Sequence, residues 1–480
     1  MLNLRPLLFI LGIFLSTLTV FMFIPLLFAL FYGEETEGAF MISSLVTGTF
    51  ASACIHQGRS RNIHLNIRDM FLLTSLTWLI VSFFAAMPFT LYHGINYTDA
   101  FFETMSGITT TGSTVLSGLD TMDHSILIWR SLLQWMGGIG FIVMAVAVLP
   151  FLNVGGMRLF HTESSDWSDK AIPRTQDIAK HLFYIYLLLT IVCGVAYHLS
   201  GMSWFQAINH AMTTLSTGGY STSDSSMAAF SNQSHWVGII FMIAGGLPLL
   251  MFVNSIQRRS LWVWNDAQVK GFILFISTVS IGLAFWLWLG HEITPIDALR
   301  LASFNVVSVV TTTGYGLTDY TAWGALANIA FLFLMFVGSC SGSTSGGIKI
   351  FRFQIAGAIM REQLKQQFHP NGVFKERYNN RIISDDIVRS LVTFILLFMM
   401  VIVALSIILV LTGLDPITSF TGAITAVTNV GPGLGNIIGP AGNFSTLPDV
   451  AKWALAIGML LGRLEILTVA VLFHPSFWKY

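Results

Sequence analysis

Thr109-Thr110-Thr111-Gly112-Ser113, Ser216-Thr217-Gly218-Gly219-Tyr220, Thr311-Thr312-Thr313-Gly314-Tyr315 and Thr428-Asn429-Val430-Gly431-Pro432 read as one motif written four times. Their reference glycines, Gly112, Gly219, Gly314 and Gly431, lie 107, 95 and 117 residues apart. Each segment follows a short apolar stretch and precedes a long one. A motif recurring at that period marks a fourfold internal repeat with one special loop per unit. In a membrane chain, four such loops can meet on one axis and line a path with backbone carbonyls.

The composition supports a membrane chain. Of 480 residues, 54% are hydrophobic and 10% charged, with mean hydropathy +0.71. A soluble protein of that length could not bury so much apolar surface. Net charge is zero, which argues neither for nor against nucleic acid. Cys54, Cys193 and Cys340 lack CxxC spacing and read as small buried residues. The twelve histidines show no HExxH or paired-ligand spacing, which argues against a metal site.

Apolar runs long enough to cross a bilayer lie near 6–32, 38–55, 70–94, 126–152, 178–200, 236–256, 271–291, 323–350, 387–412 and 450–474. The first is too long for a signal-peptide core and has no small-residue cleavage pattern, so it reads as a retained spanning helix. Ten spans put both termini on one side. Arg59, Arg61 and Arg68 follow the second span; Arg158, Lys170, Arg174 and Lys180 the fourth; Arg258, Arg259 and Lys270 the sixth. Lys349 to Arg381 adds seven basic residues after the eighth. The alternate loops carry Glu34, Glu35, Glu37, Asp120, Asp123, Asp224, Glu292 and Asp319, with Arg130, Arg300 and Lys452 as the basic exceptions. The positive-inside rule makes both termini cytoplasmic.

Four further apolar stretches, 99–107, 204–215, 296–310 and 416–427, are too short to cross. Each lies on the external side directly before a Thr/Gly loop, where it reads as a re-entrant half-helix. The expected fold is all-α and integral to the membrane. It has four pseudo-symmetric units of helix, pore helix, loop and helix around one pore, plus two N-terminal helices. The expected division is 1–68 for those two helices, then repeats at 69–176, 177–270, 271–385 and 386–480.

Non-helical backbone at membrane depth persists only where protein or a water-filled path replaces lipid. Glycine permits conformations that turn successive carbonyls inward, and oxygen dipoles can replace the hydration shell of a monovalent cation. Half-helices ending at the loops would favour a cation there, each C-terminus carrying about half a negative charge. A single Thr-Gly tract is usually an ordinary turn. Four in matched positions make a cation filter the better reading.

On these motifs the chain resembles the Trk/Ktr/HKT superfamily of potassium transporters, and within it the bacterial Trk-type potassium uptake subunits. The resemblance covers nearly the whole chain. It implies a homodimer in the bacterial inner membrane, one permeation path per protomer, and a cytosolic nucleotide-binding regulatory partner. It implies potassium ligands at Thr110, Thr111, Gly112, Thr217, Gly218, Gly219, Thr312, Thr313, Gly314, Asn429, Val430 and Gly431. Loop four also holds Gly433, but Gly431 keeps the register of the other loops. Family members that carry sodium often have serine at the first-loop glycine; Gly112 therefore favours potassium. Because the four loops differ in sequence, the filter lacks true fourfold symmetry, and looser selectivity than in a symmetric tetrameric channel is expected. A sodium-permeable member of the superfamily is the alternative.

The eighth span is interrupted by Gly338-Ser339-Cys340-Ser341-Gly342-Ser343-Thr344-Ser345-Gly346-Gly347, ten poor helix formers. Gly342 and Gly347 have phosphate-loop spacing, but Ile348 holds the lysine position and no strand is expected before them. A tight small-residue helix contact is a second reading. The resemblance implies an intramembrane loop beneath the filter, with Gly338, Gly342, Gly346 and Gly347 giving it shape. Arg463 is expected near mid-membrane in the last span, where a charge costs roughly 3 kcal/mol unless it faces a polar interior. Glu465 does not share its helix face. Arg463 then either pairs with an acid elsewhere or stands as a positive barrier in the path, the role the resemblance implies. Arg463→Ala should raise cation flux.

Asp99 and Glu103 read as outer-mouth acids or as helix caps. The segment Lys349–Asp386 reads as a lipid-facing loop or a partner surface. A membrane-embedded enzyme would need Glu465, His198 or His210 to converge, and the loops hold no such group. No enzyme activity and no cofactor bound by the chain itself are expected, potassium being the cargo.

Overall fold

The computed structural model describes residues 4–59, 65–92, 94–147, 171–258, 265–290, 293–372, 374, 377–379 and 381–479. Arg61, Arg158, Lys170, Arg259 and the end of the fourth expected span lie outside the described residues. Two helices, α1 (Leu4–Tyr32) and α2 (Glu37–Gly58), form an N-terminal hairpin. It is closed by glycine: a Cβ on Gly12 or Gly58 would strike the facing helix at Ala51–Ile55 or Arg5–Phe9. Glu34, in the turn between them, accepts from the backbone N–H groups of His124 (2.7 Å) and Ser125 (3.0 Å). It thereby caps the first turn of a helix in repeat 1. Burial opposes ionisation of Glu34, but the donors of Ser125 and His124 outweigh it and hold the carboxyl below its ordinary range.

The four repeats follow. Repeat 1 holds α3 (Ile67–Ala85), α4 (Met87–Leu91), half-helix α5 (Tyr97–Ile108) and α6 (His124–Ala147). Repeat 2 holds α7 (Ala171–Leu199), half-helix α8 (Trp204–Leu215), α9 (Asn232–Gly246) and α10 (Leu249–Arg258). Repeat 3 holds α11 (Ala267–Gly290), half-helix α12 (Pro295–Val310), α13 (Ala325–Leu334) and α14 (Ile350–Phe368). Repeat 4 holds α15 (Asp385–Leu411), half-helix α16 (Pro416–Thr428), α17 (Asp449–Arg463) and α18 (Ile466–Ala470). The half-helices run 12 to 16 residues, about 18–24 Å and short of a ~30 Å hydrocarbon layer. Each starts at a side-chain cap, Asn96, Ser203, Thr294 or Asp415, that accepts from a first-turn N–H. Helix α6 packs on α8, α9 on α12, and α17 on α5; repeats 3 and 4 meet where a Cβ on Gly314 would strike Val430 O, which closes the ring.

Three of the ten expected spans do not cross as straight helices. The sixth bends by 89° between α9 and α10, where Gly245-Gly246 is followed by Pro248, which has no N–H to continue the ladder. The eighth stops at Leu334. The tenth bends by 110° at Glu465, whose φ is +54°. Arg463 is consequently the last residue of α17 at a break, rather than mid-helix as expected. The second helix of each of repeats 2, 3 and 4 is thus broken, while that of repeat 1, α6, continues through Ala147.

Candidate functional site: a ring of four glycine loops

All four loops share one backbone. Thr110, Thr217, Thr312 and Asn429 have φ of +55°, +53°, +56° and +57°, and the glycines two residues on have φ of +88°, +76°, +79° and +105°. Left-handed backbone costs a β-branched residue about 1–2 kcal/mol. Each loop offsets this with the same pair of bonds to its half-helix. The N–H of Thr110 reaches Gly107 O and that of Thr111 reaches Ser106 O; Thr217/Gly218, Thr312/Thr313 and Asn429/Val430 repeat the pattern. Gly431 occupies the register of Gly112, Gly219 and Gly314. Gly433 does not have positive φ.

The glycines interlock in a cycle. A Cβ on Gly112 would sit under 3.0 Å from Gly218 O, one on Gly219 from Thr313 O, one on Gly314 from Val430 O, and one on Gly431 from Thr111 O. Each glycine therefore abuts the carbonyl preceding the glycine of the next loop, and loop four returns to loop one. All four glycines also line one cavity of about 250 Å³. Among the described residues, no hydrogen bond is donated to the carbonyls of Thr110, Thr111, Thr217, Thr312, Thr313, Asn429 or Val430. Such oxygens at the centre of a membrane protein are free to coordinate a cation.

The residue after each glycine ties its loop to the previous repeat, a role the sequence reading missed. Ser113 donates to Gly431 O at 2.9 Å, and Tyr220 OH to Glu103 O at 2.7 Å. Tyr315 OH pairs with Thr213 Oγ1 at 2.6 Å, while the ring of Pro432 lies against Gly314. Aromatic hydroxyls one residue past Gly219 and Gly314 were the available signal.

Beneath the ring lies the 338–347 segment, bracketed by the parallel two-residue strands β1 (Val337–Gly338) and β2 (Ile348–Lys349). The first corrects the expectation that no strand precedes it, the two ends of the loop pairing with each other where the helix stops. Thr344 Oγ1 accepts from Thr217 Oγ1 (3.2 Å) and donates to Leu215 O or Gly245 O (3.0 and 3.1 Å). Gly346 N donates to Thr312 Oγ1 at 2.7 Å, and a Cβ there would strike Thr428 O. The segment thus touches the bases of loops two, three and four. Gly342 and Gly347 have φ of +77° and +67°, and Gly338 packs on the Gly346–Gly347 backbone. This close packing within one loop replaces the alternative helix-to-helix contact.

Arg463, 2% exposed, donates to Thr344 O at 2.8 Å and to Gly137 O at 3.3 Å. Lys349 and Arg352, expected in the basic segment after the eighth span, are instead buried beside it around a cavity of about 20 Å³. Lys349 binds the Ser345 carbonyl and hydroxyl, and Arg352 pairs with Glu465 at 3.2 Å while stacking 3.7 Å over Phe394. Glu465 is accordingly engaged with α14.

Two outer-mouth readings need correction. Glu103 is 1% exposed and meets Arg130 Nε at 2.8 Å, and Asp99 meets Lys452 Nζ at 2.5 Å. Glu103 is spent in a fully buried pair and Asp99 in a part-exposed one, so neither is a free acid for concentrating cations; Asp99, in the first turn of α5, keeps the helix-cap reading. Arg130 also donates to Ser221 O and Thr114 Oγ1 and stacks 4.1 Å over Tyr220, tying loops one and two together. His198 and His210 bond to Met202 O and Gln206 O and do not converge with Glu465.

Comparison with known proteins shows the family. The family model described as "TrkH: Cation transport protein" matches residues 36–480. The chain belongs to the TrkH family. It is 47% identical to the Trk system potassium uptake protein TrkI of Halomonas elongata, over 99% of this chain and 97% of that one. It is 35% identical to the Trk system potassium uptake protein TrkH of Escherichia coli strain K12, over 98% of each. The crystal structure of the potassium transporter TrkH from Vibrio parahaemolyticus superposes with a TM-score of 0.91 at 33% identity, covering 99% of both chains. These relatives are named as transporters, and the chain is a multi-pass transporter, not an enzyme.

Proposed function

We propose that this chain is the membrane subunit of a potassium uptake system in the bacterial inner membrane, conducting through a four-loop carbonyl filter. The carrying observation is the cycle in which Gly112, Gly219, Gly314 and Gly431 each abut a carbonyl of the next loop. Potassium would be held by the carbonyls of Thr110, Thr111, Gly112, Thr217, Gly218, Gly219, Thr312, Thr313, Gly314, Asn429, Val430 and Gly431. The relatives' names, as potassium uptake proteins, support potassium as cargo.

The 338–347 segment, shaped by Gly338, Gly342, Gly346 and Gly347, acts as the gate, with Arg463 as the charge that holds it under the filter. Three contacts to the loop bases and the Arg463–Thr344 bond support this reading. Gating is controlled by a cytosolic nucleotide-binding partner docked near Lys349–Asp386, on a homodimer with both termini in the cytoplasm. The test is growth at low external potassium in a strain lacking its own uptake systems, with and without a cytosolic partner. Failure to restore growth by a correctly inserted protein in both settings would refute uptake. The sodium-permeable alternative is separated by comparing potassium and sodium flux in liposomes.

A further inference from the structure

The four loops are alike in backbone, but loop two lacks a side chain at one position. Where loops one, three and four carry Thr111, Thr313 and Val430, loop two carries Gly218. The two threonines are locked by hydroxyl contacts two residues back, to Thr109 at 2.7 Å and Thr311 at 2.8 Å. Loop two cannot make that lock, and its Ser216 hydroxyl turns to Thr213 O instead. Two consecutive glycines, Gly218-Gly219, would leave this the least restrained of the four loops.

A side chain from the preceding repeat fills the gap. Gln134 of α6 is fully buried, and a Cβ on Gly218 would fall under 3.0 Å from its Cδ, Oε1 and Nε2. Its Nε2 donates to Gly218 O at 2.6 Å, and its Oε1 accepts from Tyr220 N at 3.0 Å. Because a backbone N–H can only donate, the Tyr220 bond fixes which way the amide faces. Gly218 O is the ring carbonyl that abuts Gly112, the counterpart of Thr111 O, Thr313 O and Val430 O. Among the described residues, it is the one of these four that a side-chain N–H holds.

We propose that Gln134 is a positioning residue for ion selectivity, a role that rests on the filter reading above. It sets the distance of the Gly218 oxygen from the axis and leaves that oxygen's second lone pair for the cation. Held at that radius, the oxygen cannot follow an ion smaller than potassium inward. Released, it can.

The test measures the potassium-to-sodium permeability ratio from bi-ionic reversal potentials of the purified full chain in liposomes. That ratio is independent of how much protein is active, which a merely structural defect would change. Gln134→Leu removes both bonds at similar volume and should lower the ratio about two- to fivefold, the scale of one net hydrogen bond. Gln134→Met is read alongside it in case the branched side chain prevents folding. Gln134→Ala combined with Gly218→Thr replaces the missing lock with the one used in loops one and three, and should recover the ratio. Gly112→Ser is the control for the filter itself. An unchanged ratio in the folded Gln134 variants, with a shifted ratio in Gly112→Ser, overturns this inference and leaves the filter reading standing. No shift in Gly112→Ser overturns the filter reading. A lowered ratio that the double variant does not recover assigns Gln134 to general packing and also overturns the inference.

Discussion

Replacing Arg463 with alanine removes a buried guanidinium that joins two carbonyls from different repeats, Thr344 O at 2.8 Å and Gly137 O at 3.3 Å. The first belongs to the segment beneath the glycine ring and the second to α6. The pair therefore ties a short loop to a continuous helix. A hydrogen bond from a charged donor contributes about 1.5–3 kcal/mol net. If the Thr344 bond alone biases the loop toward its position under the ring, its loss raises the displaced fraction about ten- to a hundredfold, at ~1.4 kcal/mol per decade. Removing the charge also lowers the barrier to any cation approaching from that side, in the same direction. The assay is rubidium or potassium uptake into liposomes per mole of protein, with size-exclusion profile and thermal melting as folding controls. Arg463→Lys keeps a charge but loses the planar fork, and should give intermediate flux. A well-folded Arg463→Ala protein with equal or lower flux would refute the gate assignment.

Other outcomes follow from single contacts. Gly219→Ala forces a Cβ against Thr313 O at φ +76° and should abolish flux while the protein remains inserted, as tracer uptake would reveal. Arg130→Leu strands the buried Glu103 carboxylate and should cost about 3–5 kcal/mol, lowering the melting temperature in detergent. The Glu34 carboxyl is held below its ordinary value of 4.5, so its contribution is complete above that pH and disappears as pH falls through the lower folded value. The melting-temperature gap between wild type and Glu34→Gln should therefore be widest near pH 7 and shrink below pH 4.5. Lys349→Met should loosen the same segment as Arg463→Ala by freeing Ser345, raising flux by a smaller factor in the uptake assay.

Sequence alone established the membrane class, the fourfold repeat, the half-helices and the register of the loop glycines. Those follow from local physics: apolar run length, and a backbone that glycine or an unusual threonine must adopt wherever the loop ends up. The α8 boundaries, Trp204–Leu215, coincide with the apolar stretch because a capping serine and the Thr/Gly loop delimit it. Tertiary structure decided what each loop touches. Hydropathy sums along the chain and cannot detect a bend, so the breaks at Pro248 and Glu465 were invisible, and Arg463 moved from mid-span to a helix end. Nor could periodicity pair Glu103 with Arg130 across 27 positions, or bring Gln134 to the gap at Gly218 across 84. Such contacts depend on how the repeats close around their axis, and that closure is a property of packing between units rather than of any one of them.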